Sequence, residues 1–187
     1  MITLFIKNMV CGRCIMVVQN EFDKLSIDIK NIRLGEVIVD KELTDQEKKQ
    51  MQDVLLSLGF ELIDDKKGRI IEKIKNIIID LVHYQETDTK TNLSDILGRQ
   101  LHHDYNYLSN LFSEVEGTTI EKYFIAQKIE KVKELLVYDE LSLSEIAFRL
   151  NYSSVAYLSN QFKKITGLTP SHFKQIKEDK RKPLDKL

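Results

Sequence analysis

Two stretches decide how this chain is organised: Leu93–Thr119, LSDILGRQLHHDYNYLSNLFSEVEGTT, and Leu143–Thr169, LSEIAFRLNYSSVAYLSNQFKKITGLT. They align without gaps at an offset of 50 residues. Matched pairs include Leu93/Leu143, Ile96/Ile146, Arg99/Arg149, Tyr107/Tyr157, Ser109/Ser159, Asn110/Asn160, Phe112/Phe162 and Gly117/Gly167. Two copies of one supersecondary unit explain an ungapped match of this length. Each copy reads as a short helix, a tight turn and a second helix. In the second copy Ser142 and Glu145 have the spacing of a capping box, and Ile146, Ala147 and Leu150 fall on one inward face. "NYS" is the turn, with Ser153 as the expected cap of the next helix. On that helix Val155, Leu158 and Phe162 face inward, which leaves Ala156, Tyr157, Asn160, Lys163 and Lys164 outward. The intervening TTIEKYFIAQKIEKVKELLVYDEL reads as one long helix, stiff enough to fix the spacing of the two copies.

This is the pattern of a helix-turn-helix unit, whose second helix enters the major groove of DNA. LSLSEIAFRLNYSSVAYLSNQFKKITGLTPSHFK carries it furthest: a first helix, a second ending in Phe-Lys-Lys, then Thr-Gly and Thr-Pro-x-x-Phe. Residues 91–178 resemble the DNA-binding domain of AraC/XylS-type bacterial transcription regulators. The resemblance implies two units in successive major grooves of double-stranded DNA, with RNA polymerase as a further contact. It assigns the DNA-facing positions to Asn106, Ser109 and Asn110 in the first unit and to Ala156, Tyr157, Asn160, Lys163 and Lys164 in the second. The family usually carries arginine where this chain has Asn110 and Asn160. Asparagine can pair with the N6 and N7 of adenine, whereas arginine prefers guanine, so an adenine contact is expected in both half-sites. Contact with phosphate or water alone is the competing reading of both residues.

Charge separates the two copies although the whole chain carries only −1. Residues 91–140 hold five bases against nine acids, and residues 141–187 hold nine bases against four acids. Phosphate attraction dominates affinity for DNA, so the second unit should hold the duplex and the first should add less. Ser113 and Glu114, where the family has lysines, point the same way. The tail KEDKRKPLDK is read as a solvated terminal run rather than a phosphate tracker.

The first third reads differently. ITLFI is a strand; a helix follows from Gly12 with Ile15, Val18, Phe22 and Leu25 in register; IDIKNIRL and EVIVD are strands around Gly35. Thr44 and Glu47 form a capping box for a helix carrying Met51, Val54, Leu55 and Leu58, which Gly59 stops before the short strand FELID. Strand, helix, strand, strand, helix, strand is the ferredoxin-like βαββαβ order, an α+β domain ahead of an all-α one. The expected division is residues 1–66, a connecting segment 67–90, and the helical domain 91–187. Residues 69–86 form an amphipathic helix with Ile70, Ile74, Ile77, Leu81 and Tyr84 in a stripe that Ile71 and Ile78 widen. That stripe either packs on its own domain or forms a homodimer seam. QETDTKTN is a polar linker.

Bulk properties set the remaining bounds. A 42% hydrophobic chain of 187 residues supports buried cores. No apolar run is long enough to span a membrane, no secretory leader is visible, and a cytoplasmic, non-enzymatic protein is expected. In that compartment thiols stay reduced. The only cysteines, Cys11 and Cys14, lie in KNMVCGRC. A thioredoxin-like enzyme does not fit, because one strand precedes the pair and no proline occurs before Pro170. Two cysteines also rule out a four-cysteine zinc site within one chain. A two-thiolate clamp is left, of a kind that suits Cu(I) and tolerates Zn(II). NMVCGRC ahead of this fold resembles the heavy-metal-associated domain of copper chaperones and metal-pumping ATPases. Met9, Cys11 and Cys14 match that pattern and SLGFE resembles its glycine-aromatic loop, whereas Asn8 replaces its glycine and Arg13 adds a charge. LSID stands where that family has a glycine-valine pair. The helix start and Arg13 are expected to favour thiolate. A regulator sensing a soft metal or thiol redox state follows, with two alternatives: a first domain that docks a protein partner, or a metal carrier. His102 and His103 fall in the first turn, and His172 is expected to be structural.

Overall fold

Apolar residues recur at every second position in the strands of the first part of the chain and at every third or fourth in the helices of the rest, and the fold divides into two compact units. They are Met1–Asn76 and Ile77–Leu187. The computed structural model describes residues 1–63, 65–84, 92–138 and 140–176. The linker reading (Asn92 apart) and the basic tail lie outside the described residues.

In the first unit the elements are β1 (Ile2–Lys7), α1 (Gly12–Lys24), β2 (Ile29–Arg33), β3 (Glu36–Val39), α2 (Asp45–Ser57) and β4 (Glu61–Leu62). The strands form one antiparallel sheet in the order β2-β3-β1-β4. Val37 and Val39 point into the core with Ile6, while Glu36 and Ile38 are only half-buried, the period-two signature of a sheet with one packed face. Val18 and Phe22 of α1 and Met51 and Leu55 of α2 complete that core. Thr44 and Glu47 form the expected capping box: Glu47 donates its N–H to Thr44 Oγ1 and returns a carboxylate to the Thr44 N–H at 2.8 Å. The Lys41 ammonium, with that pairing, holds the Glu47 carboxyl down at about 2. Leu58, expected inward, is exposed, because the helix ends at Ser57 and Gly59 turns the chain at φ +85°.

The helix after β4, α3, covers Lys66–Ile79 and leads into a π-helical turn, Asp80–Tyr84; the division into units falls inside α3. Its buried residues are Ile71, Ile74, Ile78, Ile79 and Val82; of the expected stripe Ile74 and the widening Ile71 and Ile78 are buried, whereas Ile70, Ile77 and Leu81 are half-buried. Tyr84 is half exposed, since the wider π-turn rotates it off the stripe. The isoleucines expected to offer a dimer seam are therefore largely covered within this one chain. Within the first unit, Arg69 and Lys73 each place a cation 5.0 Å from the centre of the Phe5 ring.

The second unit contains α4 (Leu93–Leu101), α5 (Tyr105–Glu116), α6 (Ile120–Tyr138), α7 (Leu143–Arg149), α8 (Val155–Thr166) and α9 (Pro170–Ile176). The long α6 buries residues around much of its circumference, and Gln127, Glu130 and Lys133 are buried with them. The carboxylate of Glu130 takes the Lys133 ammonium at 2.6 Å, as burial of either charge alone would demand. Gln127 donates to the Tyr123 hydroxyl at 3.0 Å and has His83 Nε2 3.0 Å from its own oxygen. Polar residues on this helix are core, which its sequence pattern did not suggest.

Candidate nucleic-acid interface

Each second helix of the repeat is set by a cap at its start and a left-handed residue at its end. Asp104 accepts from the N–H groups of Asn106 and Tyr107 at the head of α5. At the head of α8 the cap is Ser154, which accepts from the Tyr157 N–H at 3.0 Å. The expected cap, Ser153, lies one residue too early, because the turn runs one residue beyond NYS. The turns also differ from each other: the left-handed residue is His102 (φ +55°) in the first unit and Asn151 (φ +51°) in the second, positions that are not equivalent under the repeat. Asparagine and histidine tolerate that conformation better than most residues. Gly117 and Gly167, which are equivalent, end the two helices at φ +66° and +78° and return their N–H groups to the Ser113 and Lys163 carbonyls.

With Leu108, Leu111 and Phe112 inward on α5, and Leu158 and Phe162 inward on α8, the opposite faces point to solvent. Asn106 and Asn110 are exposed and Ser109 is half-buried; Ala156, Tyr157, Asn160, Lys163 and Lys164 are exposed. Each set lies on the outer face of one short helix, the size and shape that a major groove admits. Tyr107 is 46% exposed and its repeat partner Tyr157 54%, so Tyr107 joins the face although it was not among the expected residues. The signal for it was the repeat itself. Val115 and Ile165, again equivalent, are exposed at the far ends of the same helices. The charge contrast sits on these faces too: α8 ends in Lys163 and Lys164, whereas α5 has no base in its last turn. His172 is exposed, donating its backbone N–H to Thr169, so the structural role expected for it is not borne by a packed ring.

At the other candidate site, Cys11 and Cys14 are free thiols with sulfurs 3.3 Å apart where β1 passes into α1. Asn8 occupies a left-handed conformation at φ +71°, the kind that glycine adopts most readily, and its side chain donates to the Gly59 carbonyl at 2.9 Å. Its backbone N–H reaches the buried carboxylate of Glu72 at 3.1 Å. Asn8 thus keeps the bend expected of glycine and ties the cysteine loop to the "LGF" loop, and Met9 is fully buried beside it. Burial, more than the hydrogen bond with Cys11, pushes the Cys14 thiol up, against the expectation that the helix start and Arg13 would favour thiolate. Arg13 is exposed. Among the described residues no group of three or more His, Cys, Asp or Glu side chains gathers to hold a metal. Two sulfurs without further protein ligands fit a two-coordinate soft ion better than four-coordinate zinc.

Comparison with known proteins bears on the helical unit. Residues 97–176 match the helix-turn-helix domain family. The chain is 30% identical over 156 residues to the HTH-type transcriptional regulator YtdP of Bacillus subtilis (strain 168), a match taking in 80% of this chain and 20% of that protein. It is 33% identical over 72 residues to the xylose operon regulatory protein of Escherichia coli (strain K12), covering 38% of this chain and 18% of that one. The chain thus spans about a fifth of the length of these curated relatives. Among solved structures, the C-terminal domain of AraT, a response regulator from Geobacillus stearothermophilus, superposes with a TM-score of 0.50 at 25% identity, over 60% of this chain and 88% of that one. Residues 97–176 therefore carry a helix-turn-helix domain. Among the described residues no helix is long and apolar enough to cross a membrane.

Proposed function

We propose that this protein is a sequence-specific DNA-binding transcription regulator whose first unit senses a signal through Cys11 and Cys14. The observation that carries the DNA-binding part is the repeated pair of capped helices with matching outward faces, Asn106–Tyr107–Asn110 and Ala156–Tyr157–Asn160, of which the second ends in two exposed lysines. Relatives that share this domain bear the names of transcriptional regulators. Direct readout needs side chains that reach base edges, and Asn110 and Asn160 are exposed on the middle turn of each helix. Asn160→Ala should cost roughly 5- to 150-fold in affinity for a preferred duplex, the equivalent of about 1–3 kcal/mol, and relax the base requirement at one position only. An unchanged base preference for that variant removes Asn160 from base readout.

For the first unit, the strand order β2-β3-β1-β4 with both helices on one face supports a ferredoxin-like arrangement. The facing sulfurs of Cys11 and Cys14 would hold a soft ion such as Cu(I), or close to a disulfide under oxidation. Either event changes DNA affinity only if it is unequally favourable in two states of the protein. Competition titration of the reduced protein with Cu(I) and with Zn(II) is the test, beside Cys11→Ser/Cys14→Ser. One-to-one Cu(I) binding that the double variant loses is the expected result; binding no tighter than that of the variant retires the metal sensor. A protein-docking first unit is the second reading. The raised Cys14 thiol and the exposed Met16, Val17, Leu56 and Leu58 favour it.

A further inference from the structure

Lys128, on the long helix α6, has its ammonium 4.0 Å from the centre of the Tyr152 ring and 5.6 Å from that of Phe124. Among the described residues it has no ion-pair partner. Tyr152 is the turn residue between α7 and α8. Its hydroxyl donates to Gln161 Oε1 at 2.8 Å, and its ring centre lies 6.1 Å from that of Tyr157. Gln161 and Tyr157 both belong to α8. A chain of contacts therefore runs from a half-buried lysine on the central helix, through one aromatic ring, to the outward face of the second recognition helix. The first unit has no counterpart: His102, exposed, stands at the Tyr152 position, and buried Leu111 at the Gln161 position.

We propose that Lys128 is a positioning residue for DNA recognition, its ammonium clamping Tyr152 so that α8 presents Tyr157 and Asn160 at a fixed angle to the bases. The inference rests on the DNA-binding reading above. Burial holds the Lys128 amine down at about 8, so the cation present at neutral pH is kept in a costly place, and the two ring faces supply the compensating attraction. Base-edge hydrogen bonds, moreover, depend on the placement of the helix, whereas long lysines reach phosphate from a range of angles. Removing the clamp should therefore damage specific binding more than general binding.

The test uses the full chain, a duplex selected by the wild-type protein, and a scrambled duplex of the same composition. Lys128→Met keeps the apolar stem and removes the charge, and Lys128→Arg keeps a cation able to lie on the ring. Lys128→Met should bind the selected duplex about 3- to 30-fold more weakly, as expected for a partly desolvated cation–aromatic contact, and the scrambled one less than about 2-fold more weakly. Lys128→Arg should bind the selected duplex within about 2-fold of wild type, and in a Tyr152→Leu background Lys128→Met should add no further weakening. The proposal is overturned by a Lys128→Met protein that binds the selected duplex like wild type. It is overturned equally by the same weakening on both duplexes, which makes Lys128 a phosphate contact, or by Lys128→Arg as defective as Met. If Lys128→Met does not fold, Lys128→Arg and Tyr152→Leu decide: a wild-type preference in Tyr152→Leu refutes the clamp. A wild-type protein with no duplex preference fails the DNA-binding reading itself, an outcome distinct from all of these.

Discussion

Phe162→Ala is expected to destabilise the helical unit by about 3–5 kcal/mol and to abolish DNA binding at ordinary temperature. The ring is completely buried, packs edge-on against Phe173 with centroids 5.5 Å apart, and sits in one core with Ile129, Val132, Ile146, Ala147 and Leu158. That core joins α6, α7, α8 and α9, so the cavity opens where four helices meet and cannot close by moving one side chain. A destabilisation of this size is a large share of the roughly 5–15 kcal/mol that holds a typical domain folded. Phe112, its repeat partner, packs on Tyr123 at 5.6 Å and should behave alike in the first unit of the repeat. Urea unfolding followed by far-ultraviolet circular dichroism measures both variants. A change below about 1 kcal/mol for Phe162→Ala would mean that α8 is not seated as described.

The second large effect is electrostatic. Lys163→Ala/Lys164→Ala should weaken binding to every duplex, specific or not, and lower the slope of log affinity against log salt by about 2, one for each phosphate no longer neutralised. Both side chains are exposed at the end of α8, so their removal should leave the unfolding midpoint nearly unchanged. The equivalent residues of the first unit are Ser113 and Glu114, which carry no positive charge. Ser113→Lys/Glu114→Lys should therefore tighten general binding and steepen the slope. Fluorescence anisotropy across a salt series reads affinity and slope for both variants. A double-alanine protein with the wild-type slope would place the phosphate-binding surface elsewhere.

Where sequence and structure agree, local chemistry is the reason. Thr44 and Glu47, Ser142 and Glu145, Gly117 and Gly167 act within one turn of chain, so their spacing alone determines the helix ends. The repeat exposed matched inward residues such as Phe112 and Phe162 because both copies face the same packing problem. The differences arise where distant segments decide. Ser154 rather than Ser153 is the cap because the turn runs one residue beyond NYS, and both serines are equally suited to the role by type. In α3 Tyr84 left the expected stripe because the helix ends in a π-turn, Asp80–Tyr84. Gln127, Glu130 and Lys133 are polar in sequence but buried, and the His83 partner of Gln127 lies 44 residues away, so that contact becomes visible only after folding. The Cys14 thiol moved opposite to expectation for the same reason: desolvation is a property of the packed loop and outweighs the backbone hydrogen bonds at Val10 and Cys11 that lower it.

DNA recognition by the two repeated helices is tested most directly by selection from a random-sequence duplex library. The reduced 187-residue chain is used at near-physiological salt, and the bound pool is sequenced. Enrichment of a bipartite site is expected, two elements about one helical turn apart, with adenine required at one position in each and the stronger element under the second unit. A bound pool indistinguishable from the input, or one requiring guanine at both positions, would contradict it.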